Sequence, residues 1–334
     1  VSEKSLILVT GATGAVGPQV VEVLYACGYR IRTLSIDTAP PGMWPDDVEA
    51  RIGDVTELSA VQSAMEGVDG VIHLAAMLHI LNPSPALREA YERVNVGGTA
   101  NVVKAATHAH VKRVVLFSTI AVYGDSSGSI LTEDSPLKPS TLYAQTKQTA
   151  ERIVLNAKNA AGQPLGVVLR LGAVYGARIK GNYRTLLIAL ARNRFIPLGD
   201  GNNRRSLIYD KDIARAAVLA LAHPDAAGQI FNVTDGRLHT MEEIIAAMCR
   251  ALDRPLPRFS IPASPVRFFV GILEDCARAL GLSAPIGRWV IDKYIEDMAV
   301  DSSLITKQLG FIPQYDLNAG WRETVAQIQR IGKL

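Results

Sequence analysis

The sequence predicts an α/β protein, a doubly wound parallel sheet with a smaller α+β domain formed mainly by the C-terminal part. Three observations carry that expectation. An uninterrupted apolar run, Leu6 to Val9, breaks after Thr10 into glycines at 11, 14 and 17. Strand-length apolar runs and amphipathic helical stretches then alternate as far as Leu171, which is the pattern of repeated βαβ units. Beyond Leu171 that alternation gives way to Gly172, Gly176, Gly181, Pro197, Gly199 and Gly201, a composition shift that marks a second unit.

Leu6 to Val9 has no polar interruption and reads as a strand buried on both faces, as in a parallel sheet. A helix from Val16 to Cys27 follows the glycine turn, and Arg30 to Ile36 supplies a second strand that ends at Asp37. Arg51 to Val55, Glu57 to Met65 and Gly70 to Ala76 repeat strand, helix, strand. A long helical pattern from Pro85 to Ala109 leads to the strand Val114 to Thr119, and a helix from Leu142 to Asn159 leads to the strand Gly166 to Leu171. Connections of this kind bring the strand ends to one edge of the sheet. Later helices are expected over Arg184 to Arg192, Ile213 to Ala222, Met241 to Leu252 and Gly320 to Ile328, with short strands at Ser206 to Tyr209 and Ile230 to Val233. Residues 1–171 therefore read as a nucleotide-binding domain to which about 206–235 return, and 172–205 with 236–334 as a substrate-binding domain.

In the turn, Gly11 permits the reversal, Gly14 removes a side chain that would hold a pyrophosphate off the backbone, and Gly17 lets the helix approach its strand. The helix end presents free N–H groups to phosphate, with Thr13, Ala15 and Val16 completing the cradle. Asp37 sits where a carboxylate accepts from the adenosine ribose, which favours NAD over NADP. Counted from Gly28, the usual acidic position falls on Ser35 instead, and Arg30 or Arg32 pulls toward NADP. Asp54 reads either as an acceptor for adenine, with Val55 against the ring, or as a cap. Leu74, Ala75 and Ala76 carry the fourth strand end alongside the cofactor, and His73 reads as a hydrogen-bonded core residue.

Composition excludes several classes. Lys plus Arg is 35 against 32 for Asp plus Glu, a net charge of +3 spread evenly, which gives no footprint for nucleic acid. Cys27, Cys249 and Cys276 lack CxxC or histidine spacing, so no disulfide framework and no metal site is expected, only small buried thiols in a reducing compartment. No run approaches the ~18 apolar residues of a membrane span, which points to a cytoplasmic protein without stable membrane insertion. Val266 to Leu282, where Phe268, Phe269, Ile272 and Leu273 lie beside Arg267 and Arg278, reads as a helix packed on its own domain or as a membrane-surface element.

Tyr143 and Lys147, four apart, share one helix face. A tyrosine shuttles protons only if its pKa falls from ~10 toward neutrality, and a nearby ammonium lowers it. Thr119, at the neighbouring strand end, can hydrogen-bond the same substrate oxygen, and Lys147 can hold a ribose.

With these residues in place the chain resembles the extended short-chain dehydrogenase/reductases, the NAD-dependent epimerase/dehydratase family with a Rossmann domain. Phe117 to Gly124 is similar to its Ser-Ser/Thr-x-x-Val-Tyr-Gly segment, Tyr143 and Lys147 match its dyad, and Asn95 matches the asparagine of its Asn-Val-x-Gly-Thr segment. The resemblance implies Thr119, Tyr143 and Lys147 as catalytic residues, with Ser118 beside them and Asn95 near the cofactor. Tyr175 and Gly176 resemble the start of the family's substrate domain, although Gly172 and Ala173 stand where many members carry two prolines. Pro197 to Tyr209 is similar to UDP-sugar 4-epimerases and UDP-4-keto-sugar reductases, in which the arginine matching Arg205 contacts the diphosphate. Lys180, Asn182 and Tyr183 then line the nucleotide side. Dehydratases and decarboxylases of this branch carry an acid just after the position of Thr119, whereas Ile120 and Ala121 have no proton to give. The reading is NAD(P)-dependent hydride transfer on a nucleotide sugar, by a 4-epimerase or 4-keto reductase, in a homodimer as is usual in the family. Its alternatives are a dehydrogenase of bulky alcohols of 3β-hydroxysteroid type and a cofactor-sensing regulator.

Overall fold

The computed structural model describes residues 4–78, 85–279 and 287–332. Seven strands form one parallel sheet: β1 (Leu6–Thr10), β2 (Arg30–Ser35), β3 (Glu49–Ile52), β4 (Gly70–His73), β5 (Arg113–Thr119), β6 (Gly166–Leu171) and, much later in the chain, Ile230–Val233. Their spatial order is β3-β2-β1-β4-β5-β6 and then Ile230–Val233 at the far edge. The order reverses between β1 and β4, which leaves a crevice at their C-terminal ends, the usual place for a ligand in an open α/β sheet.

Alternation along β1 sorts the core. Ile7 and Val9 face one layer, with Val20, Leu24 and Ile213, while Leu6 and Leu8 face the other, with Val61, Met65 and Val102. The first layer holds α1 (Gly17–Ala26). The second holds α2 (Leu58–Met65), then α3 (Pro85–Tyr91), a π-helical turn (Glu92–Gly97) and α4 (Gly98–His108), and then α5 (Leu142–Asn156). Thr141 caps α5 by accepting from the Ala144 N–H at 3.2 Å.

The remaining elements are β7 (Ala173–Tyr175), α6 (Asn182–Ala191), β8 (Arg204–Arg205), β9 (Leu207–Tyr209) and α7 (Asp210–Ala222). After them come β10, the edge strand Ile230–Val233, then β11 (His239–Thr240), α8 (Met241–Ala251), α9 (Ala263–Ala279), α10 (Arg288–Ile295), α11 (Ser303–Leu309) and α12 (Leu317–Arg330). α7 packs on α1, and β10 pairs with β6. A separate core around Tyr175, Leu187, Ile244, Met248, Trp321 and Val325 joins α6, α8 and α12.

Two expectations are corrected by these positions. The third strand runs Glu49–Ile52, not Arg51 to Val55, because Glu49 stands opposite Arg32 and pairs with it at 2.6 Å. Cys27 and Cys276 are exposed, so only Cys249 is a buried thiol. Of the segment Val266 to Leu282, residues 280–282 and the side chains of Arg278 and Ala279 lie outside the described residues.

The close approach of α1 to the turn after β1 rests on Gly17, where an added Cβ would stand 2.0 Å from the Ala12 carbonyl oxygen. Alanine improves an ordinary helix, but a backbone oxygen cannot yield as a side-chain tip can. Gly17→Ala should therefore destabilise the protein by about 1–3 kcal/mol, the usual cost of overpacking. A wild-type denaturant midpoint in the variant would refute this account.

Candidate active site

The glycine turn sits in the crevice with its backbone laid against β4. Gly11 has φ +69°, and a Cβ there would come within 2.7 Å of the Ala75 backbone, so only glycine closes this contact. Gly14 differs, because a Cβ there would meet only the Gly11 carbonyl oxygen, at 2.9 Å. Its outer side is bare peptide facing open space, which a dinucleotide phosphate can approach. The Thr13 N–H donates to Ser35 Oγ at 3.2 Å and ties the turn to the end of β2. A hydroxyl at the position where an acid is usual thus serves to hold the loop. Ala15 and Val16 lie on the rim of the turn, just ahead of α1.

Around this cradle the other expected cofactor residues take distinct places. Asp37 is exposed just past β2. Arg32 is buried and committed to Glu49, to the Ala64 carbonyl at 3.0 Å and to the Glu66 carbonyl at 2.6 Å, while Arg30 lies 3.4 Å from Glu49. That takes Arg32 away from the ribose position it was expected to contest, a correction that favours NAD. Asp54 Oδ1 accepts from the Thr56 N–H at 2.9 Å in a turn ahead of α2, and Val55 is buried beneath Gly98. Leu74, Ala75 and Ala76 follow β4 directly, and the Leu74 N–H donates to the Thr10 carbonyl at 3.1 Å. His73 sits between the Thr10 and Thr99 hydroxyls at 2.7 and 3.1 Å. Burial, reinforced by Lys147, brings its pKa down to about 3, so it is a neutral hydrogen-bonded core residue.

The proposed chemistry gathers where β5 meets α5, two elements in direct contact. Thr119 ends β5, and its Oγ1 accepts from the Ala121 N–H at 3.2 Å, which leaves the hydroxyl hydrogen to donate. Ile120 is buried against Met298 and Val300, so the position after Thr119 carries packing rather than acid. Tyr143 lies in the first turn of α5 and is partly buried, and Lys147 lies one turn on and is buried. Burial pushes the Tyr143 phenol up to about 12, with Tyr91 adding to the effect. Burial also brings Lys147 down to about 8, against an upward pull from Glu151. The expected fall of the phenol toward neutrality is not achieved by the chain alone.

Asn95 lies in the π-helical turn, a deformation often found at functional sites. Its Oδ1 accepts from the Met77 N–H at 2.7 Å, and its Nδ2 donates to the Met77 carbonyl at 3.2 Å and to Thr146 Oγ1 at 3.1 Å. Thr146 in turn donates to the Tyr143 carbonyl at 2.9 Å. Asn95 therefore staples the segment after β4 to the turn of α5 that carries both Tyr143 and Lys147.

Beneath these groups runs a network that sequence reasoning missed. Ser118 donates to Glu151 Oε1, and Arg170 donates to the same carboxylate from Nε and Nη2, the latter at 2.7 Å. Arg170 Nη1 also donates to Tyr123 Oη at 2.8 Å, and Tyr123 donates to Asn232 Oδ1 at 2.8 Å. Both members of the ion pair are buried. The signal was present in the spacing, since Glu151 continues the stripe of Tyr143 and Lys147 by another four residues.

The expected substrate residues lie apart from that network, except Ser118. Arg205 is in β8, with Nη2 donating to the Lys293 and Tyr294 carbonyls at 2.8 and 3.0 Å and Nη1 at 3.8 Å from Glu296. Those carbonyls end α10, where the helix dipole is negative. Lys180, Asn182 and Tyr183 line a cavity of about 50 Å³ with Tyr175 and Trp321. That volume suits one or two waters, not a nucleotide.

Comparison with known proteins places this geometry among relatives. The model of the NAD dependent epimerase/dehydratase family matches residues 7–234. The chain is similar to a UDP-glucose 4-epimerase of Vibrio cholerae, 27% identical over 95% of this chain and 94% of that one. It is also similar to a 3 beta-hydroxysteroid dehydrogenase/Delta 5-->4-isomerase of Mycobacterium tuberculosis, 28% identical over 85% of this chain and 80% of that one. Among solved structures, MoeE5 in complex with UDP-glucuronic acid and NAD superposes with a TM-score of 0.76 at 23% identity, covering 97% of this chain and 99% of that one, a likeness of fold.

Proposed function

The chain belongs to the NAD dependent epimerase/dehydratase family, and we propose that within it the protein transfers hydride at a secondary alcohol or ketone carbon of a nucleotide sugar, as a UDP-sugar 4-epimerase or 4-keto reductase. The observation that carries this reading is the joint placement of Thr119 at the end of β5 with Tyr143 and the buried Lys147 on the abutting helix. The Vibrio relative acts on a UDP-sugar, which supports the substrate class.

When bound, NAD supplies the hydride acceptor and donor. Gly14 would seat its pyrophosphate on the turn that Gly11 and Gly17 shape, with Thr13, Ala15 and Val16 around it and Asp37 toward the ribose. Tyr143 takes the proton of the sugar hydroxyl and returns it to the carbonyl oxygen. Thr119 donates to that same oxygen as charge develops on it. Lys147 holds the ribose and, as a cation one turn from the phenol, favours its ionised form. In our reading Ser118 supports the substrate side through Glu151, and Arg205 with Asn182 takes the diphosphate end. Since neither Ile120 nor Ala121 is an acid, elimination lacks its second acid/base, and simple hydride transfer remains. We assign the substrate-binding part to 172–205 and 236–334, and two copies pair through the helices at Pro85 to Ala109 and Leu142 to Asn159, as we infer from the family.

The test is to denature purified protein, identify released nicotinamide, and assay native protein against UDP-sugars. Retained NAD with interconversion of 4-epimers marks an epimerase, and consumption of added reduced cofactor by a 4-keto sugar marks a reductase. No turnover of any UDP-sugar would overturn the reading. One observation favours a second reading, a dehydrogenase of bulky alcohols: the Arg205 guanidinium is already held by Lys293, Tyr294 and Glu296. Arg205→Ala should raise KM for a UDP-sugar by about 10-fold or more, the loss of a charge-assisted hydrogen bond, and leave cofactor affinity intact. An unchanged KM turns the assignment to the bulky alcohol.

A further inference from the structure

Independently of the substrate assigned above, we propose that the exposed face of α9, with the loop ahead of it, is a docking surface for an anionic lipid bilayer. Phe268, Phe269, Ile272 and Leu273 are 66, 65, 44 and 67% exposed, at positions that share one side of the helix. The opposite side is occupied, since α10 packs there, the Arg288 guanidinium donates to the Gly271 carbonyl at 2.9 Å, and the Arg288 N–H donates to Glu274 at 3.0 Å. Helix formation and packing thus account for the inner stripe and leave the outer one without a function in the fold. Phe259, in the preceding loop, is 81% exposed. A groove of about 380 Å³ between α9 and α10 has Phe268 and Ile272 in its wall.

Charge says what covers this face. From Arg254 to Leu273 the sequence holds three arginines and no Asp or Glu; of the acids that flank this stretch, Asp275, in the wall of the groove, pairs with Arg288, Glu274 accepts from the Arg288 N–H, and Asp253 is exposed. Arg267 is paired with Asp292 at 2.5 Å, whereas Arg254 and Arg258 are exposed in the loop beside Phe259. A second copy docked through a two-fold axis would set these cations against their own equivalents. Lipid phosphates meet them with opposite charge while the phenyl and aliphatic groups enter the acyl boundary. The helix is 17 residues long and carries Arg267, Glu274 and Asp275, so it lies in the interface plane and does not cross it.

Full-length protein is sedimented with sucrose-loaded vesicles of phosphatidylglycerol and phosphatidylcholine in equal parts, or of phosphatidylcholine alone. Wild type should partition about tenfold more onto the anionic vesicles, and high salt should weaken that preference. Phe268→Ser with Phe269→Ser, and separately Arg254→Gln with Arg258→Gln, should each lower partition about tenfold. Circular dichroism and the thermal midpoint of both variants should match wild type, because these side chains are exposed. Failure of wild type to sediment with anionic vesicles overturns the proposal, as does undiminished partition of the phenylalanine variant. A concentration-dependent dimer by light scattering that the phenylalanine variant abolishes, without vesicle binding, overturns it in favour of a second copy.

Discussion

Tyr143→Phe is expected to lower kcat by about 100- to 10,000-fold, the range for loss of a positioned acid/base, with cofactor affinity little changed. Phenylalanine keeps the ring in its half-buried place and removes only the oxygen. The phenol of the chain alone holds its proton, since burial and Tyr91 push its pKa up to about 12. Ionisation near neutrality therefore needs cations brought beside it, and Lys147 is the one that α5 supplies. Lys147 itself titrates at about 8, down from 10.5. Its charge is present below that pH and lost above it, so support for the phenolate fades as pH rises through about 8, and wild-type kcat should bend downward there. The sign for stability is the reverse: the buried ammonium opposes folding below about pH 8, and this penalty is relieved between about 8 and 10.5 as the unfolded chain keeps the proton longer. Single-turnover measurements of wild type and variant across pH separate the two effects. A variant that retains a tenth or more of the activity would remove Tyr143 from the proton path.

The parts of this site that could be read from the sequence are those fixed by local sterics. Gly11 and Gly17 are glycine because backbone atoms of Ala75 and Ala12 leave no room for a Cβ, and such a demand leaves its mark in the residue itself. The alternation of Leu6, Ile7, Leu8 and Val9 likewise states both faces of β1 without reference to anything distant. What could not be read depends on contacts far along the chain. The register of β3 is set by Glu49 meeting Arg32 across the sheet edge, while the apolar Val55 that suggested a longer strand is instead drawn into the core. Arg205 looked free for a phosphate because Lys293, Tyr294 and Glu296 come to it from about ninety residues away. The π-helical turn at Asn95 has no compositional mark at all, and the bonds Asn95 makes there reach Met77 and Thr146, 18 and 51 residues away. Amphipathicity of α9 was plain, but which of its stripes would face the protein depended on where α10 came to rest.

Glu151→Gln should have the largest effect on stability, about 3–5 kcal/mol, the cost of removing one partner from a buried ion pair. Arg170 is 3% exposed and Glu151 2%, so neither can turn to water when the other is lost. The carboxylate also accepts from Ser118, whose neighbour in β5 is Thr119, and the variant should therefore loosen the strand end as well as strand a buried guanidinium. Glu151→Leu combined with Arg170→Met removes both charges and should recover part of the loss, though not all, because Ser118 loses its acceptor and Tyr123, which keeps Asn232, loses the bond it accepts from Arg170. Chemical denaturation of the single and double variants reads these terms directly, and equal stability of Glu151→Gln and wild type would refute the account. The same substitution tests coupling to catalysis. Glu151 holds Lys147 up against the downward effect of burial, so its neutralisation should lower the lysine further below about 8 and move the downward bend of kcat to lower pH. A carboxylate that served only to brace the sheet would leave that bend where it stands in wild type, and the distance it moves measures how far the ion pair beneath β5 and α5 governs the charge beside Tyr143.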